Sequence, residues 1–274
     1  MTTMNLDHDV SEFWARGYVI VPGAFRKDEM DILKKVITSN ASMSEHAARA
    51  KEKGSLGTRP SFDTIFVWND TSRFDVFSKV TRSYKLIDRL EAFFGDAVYV
   101  YHNKVALKYP GIVGFSYHQD YAYWYDMGNL FPDMATAFVA IDRATTENGC
   151  LKIIEGSHKL GRLNHVYRDG VSDSGVDPER LAVIERKLPE VSIELESGDA
   201  VIFHCNVLHG SDDNRSDDSR MALLGCYNTR HNDPYKSVHG LPAYHPQSKI
   251  CDEIVPEDAT NLPDFFMRWA APVD

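Results

Sequence analysis

The spacing of apolar residues changes from helical to alternating near residue 96. Within Lys27–Ser39, Met30, Leu33, Val36 and Ile37 recur at helical intervals, which predicts an amphipathic helix. Phe77, Val80, Leu86, Ile87 and Leu90 predict another across 74–94. At the start of the chain, residues 11–17 read as a short helix stopped at Gly17, followed by a β-branched strand at Tyr18–Val21 that ends in Pro22 and Gly23. Residues 41–60 are polar and broken by Gly54 and Gly57, so a loop or a weak helix is expected there.

Beyond residue 96 the apolar runs are short and β-rich: 97–101, 104–108, 135–141, 151–154, 191–195, 200–204 and 221–226. Short strands without long helices between them favour a sandwich or jelly roll over a parallel α/β sheet. The polar stretch 167–188, with its own helix expected around 177–185, reads as an insertion between strands. A tail from His231, punctuated by Pro234, Pro242, Pro246, Pro256 and Pro263, is expected to wrap and not to build a second core. These patterns divide one domain, 1–274, into a helical part at about 1–95, a β core at about 96–230 and the tail 231–274.

Composition narrows the function. The chain is 43% hydrophobic and 26% charged, so it can bury one large core. Its formal charge of −10 argues against general nucleic-acid binding, which needs a cationic surface. Cys150, Cys205, Cys226 and Cys251 have no CxxC spacing and are too few for a disulfide framework. Without a signal-like start or an apolar run of membrane-spanning length, a cytoplasmic protein with no membrane partner is expected. Phosphate-loop, dinucleotide-binding and nucleophile-elbow patterns are missing from the sequence.

Four residues carry the chemistry. His118 and Asp120, two apart on an expected strand, would project to one face, and His209 supplies a third ligand from a distant strand. Two histidines and one carboxylate hold Fe(II) on one side and leave open positions on the other. Arg220, at the start of an expected partner strand that returns beside His209, offers a cationic fork for a dicarboxylate.

With these residues, the chain resembles the phytanoyl-CoA dioxygenase family of Fe(II)/2-oxoglutarate-dependent oxygenases. The resemblance runs from Phe13-Trp-Ala-Arg-Gly-Tyr through His118-Gln-Asp, Glu147-Asn-Gly-Cys, Glu155-Gly-Ser-His and Gly198-Asp-Ala-Val-Ile-Phe-His to His209-Gly-Ser and Arg220. It implies a double-stranded β-helix, a cupin-like jelly roll, mainly β with flanking helices. It also implies that His118, Asp120 and His209 ligate iron and that Arg220 anchors the distal carboxylate of 2-oxoglutarate. Ser211, Lys104, Phe115 and Trp124 match positions that often line the co-substrate pocket. The family's usual Pro-Gly-Ser-His is Glu155-Gly-Ser-His here. Asp120 stands where related halogenases carry a small residue, which favours hydroxylation over halogenation.

Other residues have two readings. His102 could reach the co-substrate by alternation from Lys104, or be a satisfied strand histidine. Tyr121 and Tyr123 could line a substrate pocket or pack the jelly-roll mouth. Arg59, Asn228, Arg230 and His231 lie in segments the family uses as lids, with solvated groups as the alternative. His158 and His204 read as structural. The implied enzyme is a dioxygenase using Fe(II), 2-oxoglutarate and O2 to hydroxylate a small polar metabolite or natural product, releasing succinate and CO2. Desaturation, epimerisation or ring closure by the same cofactors, and a non-catalytic metal-binding jelly roll, are the competing readings. Oligomeric state stays open.

Overall fold

The computed structural model describes residues 5–40, 65–68, 74–167, 174–236, 243–260 and 267–268. Helix α1, Leu6–Arg16, starts under an Asn5 side-chain cap and stops at Gly17, whose φ of 91° a side chain would resist. A Cβ at Gly17 would also lie 2.5 Å from the His158 ring. Strand β1, Tyr18–Val21, and helix α2, Lys27–Ser39, fall where the pattern predicts. The expectation for 41–60 lies outside the described residues, as does Arg59.

After strand β2, Ile65–Trp68, the single helix expected across 74–94 is two. They are α3, Val76–Thr81, and α4, Tyr84–Phe94, and Ser83 separates them by capping α4 through its hydroxyl. The strands expected at 97–101 and 104–108 are one strand, β3, Val98–Lys108. Next come β4, Phe115–His118, helix α5, Asp120–Asp126, and strands β5, Met134–Ala140, and β6, Leu151–Ile154. The insertion holds β7, His165–Tyr167, β8, Ser174–Val176, and α6, Pro178–Glu185, the helix expected there. Strands β9, Glu190–Ile193, β10, Ala200–His204, β11, His209–Ser211, β12, Arg220–Thr229, and β13, Met267–Arg268, complete the order.

A seven-stranded sheet, β1-β10-β5-β12-β3-β2-β13, faces a four-stranded one, β4-β11-β6-β9, which is the expected jelly roll. Alternation sorts the side chains of the large sheet. Val105 and Leu107 of β3, Val139 of β5, Ile202 of β10 and Leu223 of β12 pack under Phe13, Leu33, Leu86 and Leu90 of the helices. Phe138, Val201, Phe203 and Ala222 point the other way, against Leu151, Ile153 and Ile193 of the small sheet. The described part of the tail lies against the body: Ile254 joins the helix-side core, Ile250 pairs with Ser83, and Gln247 accepts from the Val100 amide.

One irregularity aims the site. Along β12, Cys226 pairs with His102 but Tyr227 pairs with Val100, so Tyr101 is an extra residue in β3. Val98 and Val100 face the helices before this bulge, as do Val105 and Leu107 beyond it. The parity has shifted, and His102, Lys104 and Lys108 share the inner face.

Candidate active site

Ligand atoms of His118, Asp120 and His209 lie within 4.8 Å of one another. His118 ends β4 and His209 begins β11, and the two are paired residues in the small sheet, with ring centroids 4.2 Å apart. Asp120 does not sit on the strand with His118, contrary to the alternation argument. The strand stops at His118, Gln119 caps the next helix, and Asp120 is the first residue of α5. A strand-to-helix turn brings the pair together, and Gln119 holds it: its buried amide bonds Gly161 O at 2.8 Å, Asn206 O at 2.7 Å and Leu163 N at 2.7 Å.

Both histidines are oriented from behind. His118 Nδ1 donates to Ser116 O at 2.8 Å, and His209 Nδ1 donates to Val207 O at 3.0 Å, which leaves each Nε2 free as a ligand. Thr136 Oγ1 donates to Asp120 Oδ2 at 2.7 Å, and Lys104 Nζ lies 3.7 Å from Oδ1. Burial opposes ionisation of Asp120, but Lys104, His209, His118 and Thr136 together hold its carboxyl below the usual range. Burial pushes His209 down to about 3, so it is a neutral nitrogen donor. A deprotonated carboxylate and neutral imidazoles are the forms a divalent metal requires.

Arg220 does not return beside His209 in a ladder. Its strand, β12, lies in the large sheet between β3 and β5, so Arg220 faces the small sheet across the interior. Arg220 is 4% exposed, and its guanidinium stacks 5.6 Å from the Phe138 ring and donates from Nη1 to Gly149 O at 2.9 Å. Its Nε is buried without a partner, and burial lowers its pKa to about 10. Opposite it on β3 is Lys108, which the sequence reading missed. Lys108 Nζ donates to Ser211 Oγ at 2.9 Å, to Gly149 O at 3.3 Å and to Asp212 O. Burial and Arg220 bring its ammonium down to about 6. Gly149 is tight here, since a Cβ would meet Lys108 Nζ at 2.7 Å. Among the described residues no carboxylate bonds either Arg220 or Lys108, and the two basic groups share the Gly149 carbonyl, an arrangement suited to an anion.

The remaining candidates divide. Ser211 joins Lys108 and accepts from the Phe115 amide at 3.2 Å, so both residues border the anion site. Lys104 does not; it sits at Asp120. Trp124 packs edge-on against His102 at 5.7 Å and Tyr101 at 6.1 Å, away from the Arg220 group. His102 is buried with Nδ1 unpartnered, and burial holds its pKa well below the ordinary value. Tyr123 stands edge-on to His118 at 6.0 Å and to His165 at 4.9 Å, in a position to line the metal side. Tyr121 instead turns its hydroxyl to Leu130 O at 2.6 Å in the aromatic core. Asn228 is a correction: its amide is consumed by Tyr99, Asn129, Asn232 and Thr229, which leaves it nothing to offer a substrate. Arg230 and His231 pair with Asp96 at the surface. His158 bonds Trp14 O and packs against His204, both structural. His165, unmarked by any motif, accepts from the Gln119 amide and keeps a buried, unpartnered Nδ1.

The phytanoyl-CoA dioxygenase (PhyH) family model matches residues 13–222. An L-proline trans-4-hydroxylase of Streptomyces griseoviridis is 30% identical over 204 residues, 69% of this chain and 75% of the relative. An ectoine dioxygenase of Streptomyces anulatus is 28% identical over 241 residues, 82% of this chain and 78% of the relative. The crystal structure of EctD from S. alaskensis with 2-oxoglutarate and 5-hydroxyectoine shares the fold, with a TM-score of 0.68 and 20% identity over 93% of this chain and 91% of that one. The matched span contains the His-Asp-His cluster and the Arg220–Lys108 pair, and the chain belongs to the phytanoyl-CoA dioxygenase family of Fe(II)- and 2-oxoglutarate-dependent oxygenases.

Proposed function

We propose that His118, Asp120 and His209 hold Fe(II), and that Arg220, Lys108 and Ser211 hold the distal carboxylate of 2-oxoglutarate. The observation that carries this reading is the anion site itself. The Arg220 guanidinium, buried beside the Lys108 amine and paired with no carboxylate among the described residues, is costly unless a ligand neutralises it. That site lies on the inner face of β3 and β12, as does Lys104, whose ammonium touches Asp120. Both ends of a keto dicarboxylate therefore have a place. Bound together, Fe(II) and 2-oxoglutarate supply dioxygen activation for oxidising a C–H bond.

The protein's own residues bind, orient and exclude water. Ser116 and Val207 carbonyls fix the imidazole tautomers, Thr136 fixes the carboxylate rotamer, and Phe138 with the small sheet closes the space around Arg220. Tyr123 and His165 stand beside His118, where a substrate would lie if His118 held iron. The relatives named for L-proline and ectoine support a small polar metabolite as substrate and hydroxylation as the outcome. The test is aerobic incubation of the Fe(II)-loaded protein with 2-oxoglutarate and a panel of amino acids, cyclic osmolytes and aminophosphonates. Succinate release matched to a product that has gained one oxygen atom is expected. Succinate-coupled loss of hydrogen without oxygen gain would replace hydroxylation by desaturation or ring closure.

A further inference from the structure

The inner face of β3 carries two lysines, and 2-oxoglutarate accounts for only one. Lys108 faces Arg220 across the β3–β12 ladder; Lys104 is four residues along the strand, about 13 Å away, opposite Leu224. Lys104 has one carboxylate within reach among the described residues, Asp120, whose other oxygen belongs to Thr136. Its other close neighbours are Cys226, Tyr123 and His102, none of them a carboxylate.

The following inference rests on the iron and co-substrate reading above. Iron brings two positive charges to Asp120. The Asp120 carboxylate and the chelating carboxylate of 2-oxoglutarate return two negative ones, and the distal carboxylate is spent on Arg220. Lys104 is then a cation with no counter-charge in a poorly solvated interior, where an unmatched charge is expensive. It is not sealed: its side chain keeps 22% of its surface exposed, against 6% for Asp120.

We propose that Lys104 receives an anionic group of the primary substrate, which makes that substrate a small oxyanion, a carboxylate or a phosphonate, lying against Tyr123. This assigns Lys104 to substrate selection and removes it from co-substrate anchoring.

The test uses the intact protein loaded anaerobically with Fe(II) and 2-oxoglutarate. The probes are amino acids, their C-terminal amides, and aminoalkylphosphonates of two to four carbons, added while the weak visible charge-transfer band of the chelate is followed. At least one acid or phosphonate is expected to shift the wild-type band saturably while its amide does not, and which class does so distinguishes carboxylate from phosphonate. Lys104→Met should weaken that anion about 30-fold or more, the loss expected on removing one partner of a buried charge pair. Lys104→Arg should restore part of it, and the 2-oxoglutarate titration of both variants should stay within about threefold of wild type. An amide that binds as well as its acid, a panel in which no oxyanion perturbs the band, or a Lys104→Met loss that falls on 2-oxoglutarate overturns the proposal. If no band forms in the wild type, the iron and co-substrate reading has failed instead.

Discussion

The two faces of the large sheet are made by the same strands and obey opposite rules. On the helix side, Val105, Leu107, Val139, Ile202 and Leu223 are at most 1% exposed and contain no polar atom. On the inner side, the same β3, β5 and β12 present His102, Lys104, Lys108, Thr136, Arg220 and Cys226. A buried aliphatic side chain stabilises the fold wherever it packs, whereas a buried cation without a counter-ion opposes it. The contrast teaches that stability is concentrated on one face, and that the other holds groups whose desolvation is offset only when iron and an organic anion arrive.

Substitutions should separate the faces. The largest effect is expected from Asp120→Ala: turnover should fall more than about 100-fold, beyond the 10- to 100-fold typical of groups behind the ligands, with the far-UV circular dichroism unchanged. Arg220→Ala should raise the concentration of 2-oxoglutarate needed for half-saturation by about 100-fold while the protein stays folded, as calorimetric titration would show. Leu223→Ala, on the opposite face of Arg220's own strand, should cost about 2–5 kcal/mol in urea unfolding and leave turnover per folded molecule nearly intact. A reversal, with Leu223→Ala abolishing co-substrate binding or Arg220→Ala unfolding the protein, would erase the distinction between the faces.

A pH series sharpens the inner face further. With its ammonium at about 6, Lys108 is mostly neutral in the ligand-free protein at pH 7.5. A bound carboxylate favours the protonated form, so binding should take up a proton. Affinity for 2-oxoglutarate should therefore fall as pH rises above about 6, by at most tenfold per unit, until the pKa of the bound state is passed. Calorimetry in buffers of different ionisation enthalpy would detect the uptake, and Lys108→Met should remove it. The smallest effect is expected at the surface: Lys249→Ala breaks exposed pairs with Asp88 and Glu91 and should cost less than about 1 kcal/mol.

Most of the fold was legible because amphipathic periods are long-range averages. The helix Lys27–Ser39 and the strand Ala200–His204 follow from apolar spacing alone. The break at Ser83 was not, because the apolar stripe continues across it and only the cap and the pairing of Ser83 with Ile250 of the tail mark it. The bulge at Tyr101 was invisible for the same kind of reason: one extra residue shifts parity without changing composition. That shift decides where Lys104 and Lys108 lie. The sequence distinguishes two lysines on one strand only by position, so the resemblance assigned Lys104 to the co-substrate, whereas the paired Arg220↔Lys108 register sets Lys108, not Lys104, beside Arg220. His118, Asp120 and His209 were legible as residue types, but the turn that unites the first two was read as a strand. Thr136 and His165 carry no local signal, since their roles come from strands brought together by topology.

The most direct test of the account is an anaerobic titration of the iron-loaded protein with 2-oxoglutarate, followed by visible absorption. A saturable charge-transfer band in the wild type, lost in Asp120→Ala and moved to far higher 2-oxoglutarate in Arg220→Ala, is the predicted result. A folded, iron-loaded wild type without the band, or an Arg220→Ala curve that overlays the wild type, would contradict it.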